Sequence, residues 1–327
     1  MVQGGPAVQV GVIVVSVLGL WIGARALVDA VVRLSRRFGL SELTIGLTVV
    51  AMGTSMPELI VSVDAALTGL GDIAVANVLG SNIYNLAFIL GFISVVRVIP
   101  IADSLLHRDG IALLASTLVG GLAVLDLRVT RFEGILLAGA FVVYTAYLLR
   151  ANRSTPGDTG EHGGAEDAVV RTATERVSFR GRDVALLVGG LALVLVSGDY
   201  MVVAATQLAR GVGISEWVIG GTIVAAGTST PEFAVSLIAI RRESLGVSVG
   251  NVIGSNVYNI TGILGVGALV RPLAMTGSAA TTVLWLAGVS LVMVAALWTG
   301  RVLTRVEGAL FVLSEVVRWV LGILRVI

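Results

Sequence analysis

Apolar runs of roughly 20 residues, the length of helix that crosses a ~30 Å bilayer core, recur along the chain between short polar turns. They predict helices near 6–30, 41–67, 72–97, 108–126, 131–150, 181–209, 214–240, 245–270, 278–299 and 304–326. The short alternating segments of a membrane β-barrel are missing. One stretch, 151–180, is rich in Gly, Thr and charge and reads as a solvated linker. Its Asp158, Glu161, Glu166 and Asp167 match no calcium-loop spacing. The expected organisation is an all-α integral membrane protein of ten transmembrane helices: a first five-helix unit (1–150), a linker (151–180) and a second five-helix unit (181–327).

Composition agrees, with 56% apolar and 13% charged residues and a mean hydropathy of +0.97. Soluble domains have about 45–50% apolar residues. There is no cysteine, which removes disulfides and thiolate metal sites. A net charge of +1 excludes a generally basic nucleic-acid binder. All 22 basic residues are arginine; fifteen fall in loops after odd-numbered predicted helices, six on the other side, and Arg25 lies within the first helix. The positive-inside rule then puts both termini outside the cell membrane and the linker in the cytoplasm.

The two units are copies of each other. At a constant offset of 174, Ile45–Gly91 and Ile219–Gly265 share 24 of 47 residues without a gap. Thr54 falls on Thr228, Glu58 on Glu232, Ser81 on Ser255 and Asn85 on Asn259. Five helices per unit is an odd number, so the second copy must lie inverted, an architecture of secondary transporters.

The identities concentrate in polar residues. Each copy interrupts a helix with Gly-Thr-Ser-x-Pro-Glu, at 53–58 and 227–232. Proline cannot donate to the carbonyl four residues back, so Pro57 and Pro231 free the oxygens of Gly53 and Gly227. Irregular backbone at membrane depth is tolerated only where protein or a water-filled cavity replaces lipid. Glu58 and Glu232 follow directly, and a carboxylate at the centre of a span costs about 2.5–3.5 kcal/mol on the insertion scale. Two such groups call for a cation or for protons.

The next helix of each copy carries Asn77, Ser81 and Asn85, or Asn251, Ser255 and Asn259, four residues apart and so on one face. Asn82 and Asn256 point elsewhere, toward a neighbouring helix that Gly80 and Gly254 let come close. Carboxylates, hydroxyls (Thr54, Ser55, Ser81, Thr228, Ser229, Ser255), two amides (Asn85, Asn259) and carbonyls make an all-oxygen set. That suits calcium, with six to eight oxygens at about 2.3–2.6 Å, rather than transition metals. Two carboxylates balance one divalent or two monovalent ions.

These duplicated motifs resemble those of the sodium/calcium exchanger family, within the wider cation/calcium exchanger superfamily, whose two repeats carry GTSxPE and GNxxGSNxxN patterns. The resemblance spans the repeats closely and the ten-helix layout throughout. It implies that Glu58 and Glu232 are shared calcium ligands, with Thr54, Ser55, Ser81, Thr228, Ser229, Ser255 and the carbonyls of Ala51 and Ala225 completing calcium and sodium sites. It also implies three sodium ions per calcium, hence one net charge per cycle and a response to membrane potential. Potassium-requiring members have aspartate where this chain has Asn259, which argues against potassium dependence.

The expectation is an antiporter working by alternating access, with helices 6–30 and 181–209 moving over a core. Gly19 and Gly23 form a small-residue step on the first of them. One chain is taken as the functional unit; calcium and sodium are cargo, no cofactor is expected, and the bilayer is the other partner. Protons need only the carboxylates, so a proton/calcium antiporter is the alternative. An enzyme is not expected: Gly-x-Ser at 53–55 lacks the second glycine of a nucleophile elbow, and His107 and His162 lie by or in cytoplasmic loops. Arg25 pairs in the repeat with Asp199, and an interfacial ion pair is the plain reading. Asp64 has Ile238 as its counterpart, leaving it as an interfacial carboxylate or part of an access route.

Overall fold

The computed structural model describes residues 5–100, 103–151, 181–212, 225–275 and 278–323. The linker 152–180 and the start of the predicted helix 214–240, residues 214–224, lie outside them.

The chain is mostly helical. α1 (Pro6–Phe38) is followed by α2 (Glu42–Thr54), α3 (Met56–Thr68), α4 (Gly71–Val96), α5 (Ile111–Val124) and α6 (Arg131–Ala151). The second half has α7 (Gly181–Gly211), α8 (Ala225–Thr228), α9 (Thr230–Arg241), α10 (Leu245–Val270), α11 (Ser278–Gly300) and α12 (Arg305–Ile323). Among the described residues, six helices are long and apolar enough to cross a membrane, or seven if α2 and α3, bent by 48°, count as one span. The first helix runs eight residues past its predicted end at 30, so Arg33, Arg36 and Arg37 lie on it and not in a loop. Arginine is a good helix former, and nothing breaks the helix before Gly39, whose φ of 64° closes it in the left-handed region.

α4 and α10 form the centre. Burial of their most apolar stretches reaches 78% and 89%, against 28% and 22% for α1 and α7, which pack together at the periphery. Both central helices relax into π-helical turns, Tyr84–Leu90 and Tyr258–Ile263, which take in Asn85 and Asn259 at the ends of their polar faces. A Cβ at Gly254 would sit 2.5 Å from the Leu47 carbonyl, so glycine permits the close approach of α10 to α2. At Gly80 no described residue comes within 4 Å of that position.

Several contacts between the halves come in pairs related by the 174-residue offset. Strand β1 (Ile99–Pro100) pairs antiparallel with β4 (Val302–Leu303), and β2 (Arg128–Val129) with β3 (Leu273–Ala274). Gly91 meets Gly308 at backbone distance, as Gly265 meets Gly134. α6 and α12 begin with the same capping box: Thr130 N–H donates to Glu133 at 2.7 Å, and Thr304 N–H to Glu307 at 2.8 Å.

Candidate functional site

The interrupting motif produces the same break twice. Ser55 (φ −82°, ψ 16°) ends α2, and Ser229 (φ −89°, ψ 11°) ends α8. Pro57 and Pro231 then stand in the first turn of α3 and α9, where a missing N–H costs nothing. Glu58 and Glu232 follow in that first turn, at the positive end of the helix dipole. Sequence alone thus brings both carboxylates to helix N-termini inside the protein.

Each carboxylate is held by the other half. Ser229 Oγ donates to Glu58 Oε1 at 2.9 Å, and Ser55 Oγ donates to Glu232 Oε1 at 2.7 Å. Ser81 Oγ lies 3.5 Å from Glu58 Oε1, while Ser255 Oγ lies 3.0 Å from Ser55 Oγ and 3.4 Å from the Ala51 carbonyl. Glu58, Glu232, Ser55 and Ser229 are wholly buried, at 0% exposure.

The oxygens left over define what the site can hold. Glu58 Oε2, Glu232 Oε2, Asn259 Oδ1 and both amide atoms of Asn85 are buried with no hydrogen-bond partner among the described residues. Buried acceptors normally find a partner, and carboxylate oxygens most of all. Thr54 is buried and donates toward Val50 O, whereas Thr228 is half-buried on the other side. Ala225 opens α8. Among the described residues there is no cluster of three or more His, Cys, Asp or Glu. Among the described residues the donor set is therefore a pair of carboxylates with neutral oxygens around it, and it fits a hard cation.

A set of supporting contacts was not resolved by helical spacing. Asn77 Nδ2 donates to the Glu58 carbonyl (3.1 Å) and to Ser62 Oγ (2.9 Å). Asn251 Nδ2 does the same to the Glu232 carbonyl (3.3 Å) and Ser236 Oγ (3.0 Å), and its Oδ1 accepts from Thr54 (3.0 Å). These amides clamp the backbone of each glutamate, and the signal for them was the identity of Ser62 with Ser236 and Asn77 with Asn251 in the repeat. Asn82 does reach a neighbouring helix, donating to the Asn256 carbonyl at 2.9 Å and accepting from Asn259 at 3.0 Å. Asn256 instead turns back to Val252 O of its own helix. Arg25 makes no ion pair with Asp199; its guanidinium lies 5.7 Å over the Trp21 ring.

Buried carboxylates with unshared oxygens, set between helices of membrane-crossing length, belong to membrane proteins that handle cations. The family described as sodium/calcium exchanger protein matches residues 8–150 and 183–321, and the chain belongs to it. It is 36% identical over 262 residues to the inner membrane protein YrbG of Escherichia coli, covering 80% of this chain and 79% of that one. It is 28% identical over 324 residues to the sodium/calcium exchanger MaX1 of Methanosarcina acetivorans, covering 90% and 92%. The solved structure of the sodium-calcium exchanger NCX_Mj soaked with Na+ and Sr2+ superposes with a TM-score of 0.80 at 29% identity, covering 95% of this chain and 97% of that one.

Proposed function

We propose that this chain is a secondary antiporter exchanging calcium for sodium across the cell membrane by alternating access. The observation that carries the reading is the crossed pair of glutamates, each anchored through one oxygen by a serine of the opposite half and each with its second oxygen unshared. An ion between them draws both halves together, and without it two buried like charges repel. Ligands would come from Glu58, Glu232, Thr54, Ser55, Ser81, Asn85, Thr228, Ser229, Ser255, Asn259 and the carbonyls of Ala51 and Ala225. The names of MaX1 and NCX_Mj support the choice of ions.

The proposal extends to topology: ten spans in two inverted five-helix repeats, 1–150 and 181–327, with both termini outside and 151–180 cytoplasmic. The paired inter-half contacts support the inversion, since each ladder has one strand from each half and the two ladders exchange under the offset. With only two carboxylates, three sodium ions against one calcium make the cycle electrogenic.

The test is calcium-45 uptake into proteoliposomes under an outward sodium gradient or a pH gradient alone. Sodium-driven uptake that falls at least about 100-fold in Glu58→Gln and in Glu232→Gln is expected. Uptake that follows pH and ignores sodium would assign the coupling to protons, and no uptake under either gradient would remove calcium as cargo.

A further inference from the structure

The halves repeat in sequence but not in conformation. On α9, Ile238 is 6% exposed, packed in one cluster with Leu20, Ala24, Leu27, Val28 and Val31 of α1. Its counterpart on α3 is Asp64, which is exposed. Val247 is fully buried in that same cluster, whereas its counterpart Ile73 is 50% exposed. α1 therefore seals the flank of α9, and α7 leaves the matching flank of α3 open.

Polar contacts show which bodies are joined. Arg33 pairs with Asp183 at 2.6 Å near one end of the α1–α7 pair, and Gln9 donates to Gln207 at 2.6 Å near the other. The 174-residue offset carries Gln9 onto Asp183 and Arg33 onto Gln207, so the two contacts are images of each other and fasten α1 to α7 at both ends. Between them Gly23 and Gly190 bring the backbones together, with a Cβ at Gly23 falling 2.8 Å from the Gly190 carbonyl. A third contact has no image. Asp29 on α1 pairs at 3.1 Å with Arg242 at the end of α9, and the counterparts of these residues are Val203 and Thr68.

If the chain alternates as proposed above, on which this inference rests, the opposite state puts α7 over α3. The offset then replaces Leu20, Ala24, Leu27, Val28 and Val31 with Val194, Gly198, Met201, Val202 and Ala205. These residues would cover Asp64 where α1 now covers Ile238. That carboxylate would enter an apolar seal, and no ion pair would replace Asp29–Arg242. We infer that Asp29, Arg242 and Asp64 bias the conformational equilibrium toward the state seen here, the ion pair by latching the existing seal and Asp64 by resisting the opposite one. Two halves with matching ion-binding residues thereby acquire unequal access to the two sides of the membrane.

The chain has no cysteine, so Ala239→Cys, at 0% exposure within the seal, gives a single reporter. Its labelling by a membrane-impermeant maleimide is measured in vesicles that present the Arg241–Arg242 corner to the reagent. Asp29→Asn and Arg242→Gln should each raise the labelling rate about two- to five-fold, the range a partly exposed ion pair supports. Asp64→Ile should raise it about tenfold or more, because a charge no longer opposes the other seal. The charge exchange Asp29→Arg with Arg242→Asp should return the rate to that of the parent. Unchanged labelling in all three single variants, in a parent that retains sodium-driven calcium uptake, overturns the bias. A raised rate that the charge exchange does not lower overturns the latch, and a parent without uptake overturns the exchanger reading itself.

Discussion

Ser55 and Ser229 hold the same place in two copies of one motif, yet they are not equally engaged. Ser55 touches both Glu232 and Ser255, whereas among the described residues Ser229 reaches Glu58 alone. The amide clamps differ in the same sense: Asn251 is fully buried with three partners, and Asn77 is half-buried with two. Duplication supplied matching residues, but the surrounding packing gives the copies unequal weight. The more heavily connected residues lie where α10 presses on α2, close to the sealed flank.

Three substitution pairs probe that inequality. The largest difference is expected at the serines. Losing a hydroxyl donor to a charged acceptor costs about 1.5–3 kcal/mol, so Ser55→Ala should raise the calcium KM of sodium-driven uptake roughly 100-fold and Ser229→Ala roughly tenfold. Equal effects would mean that the Ser55–Ser255 contact adds nothing to ion binding.

The clamps come next and should register as stability. Asn251→Ala removes three hydrogen bonds at one stroke, those with Thr54, Ser236 and the Glu232 carbonyl, at about 2–3 kcal/mol, against ~1 kcal/mol for the two lost in Asn77→Ala. Thermal midpoints in detergent should follow that order; a lower midpoint for Asn77→Ala would reverse the assignment of the more rigid copy.

The smallest contrast lies at the outer helices. A Cβ at Gly308 would collide with the Ser94 side chain and the Gly91 carbonyl, whereas one at Gly134 would meet the Gly265 carbonyl at 2.9 Å. Overpacking costs about 1–3 kcal/mol. Gly308→Ala should therefore destabilise the protein by about 1 kcal/mol more than Gly134→Ala and give the lower midpoint of the two, and matched losses would show that Ser94 simply turns aside.

Much of this was legible in the chain itself. The Gly-Thr-Ser-x-Pro-Glu break fixed where α2 and α8 stop, because proline and glycine act locally and need no tertiary context. The constant offset paired each polar residue of the two motifs with its counterpart in the other copy. The reach of α1 was underestimated, since an arginine cluster looks like a loop until a left-handed glycine is identified as the actual stop. The π-helical turns and the two-residue strands left no periodic signal of their own. Spacing placed Asn77 and Asn251 on the face with the ligand candidates, but whether an amide faces an ion or folds onto a neighbouring carbonyl depends on the distance between helices. Asp64 and Ile238 were the least legible pair. Their contrast acquires meaning only once one flank is seen covered and the other open.

Neither half owns a complete site, and this has a consequence for how the chain is made. Ser229 lies 171 residues beyond the glutamate it serves. At about 5–20 residues per second, the ribosome delivers it roughly 10–30 s after Glu58. During that interval the nascent first half has its Glu58 carboxylate without the Ser229 hydroxyl, the nearer of its two donors, and has β1 and β2 unpaired. A half-length product, from a stalled ribosome or a truncated message, stays in that condition and presents a membrane protease with the same unmet polar groups.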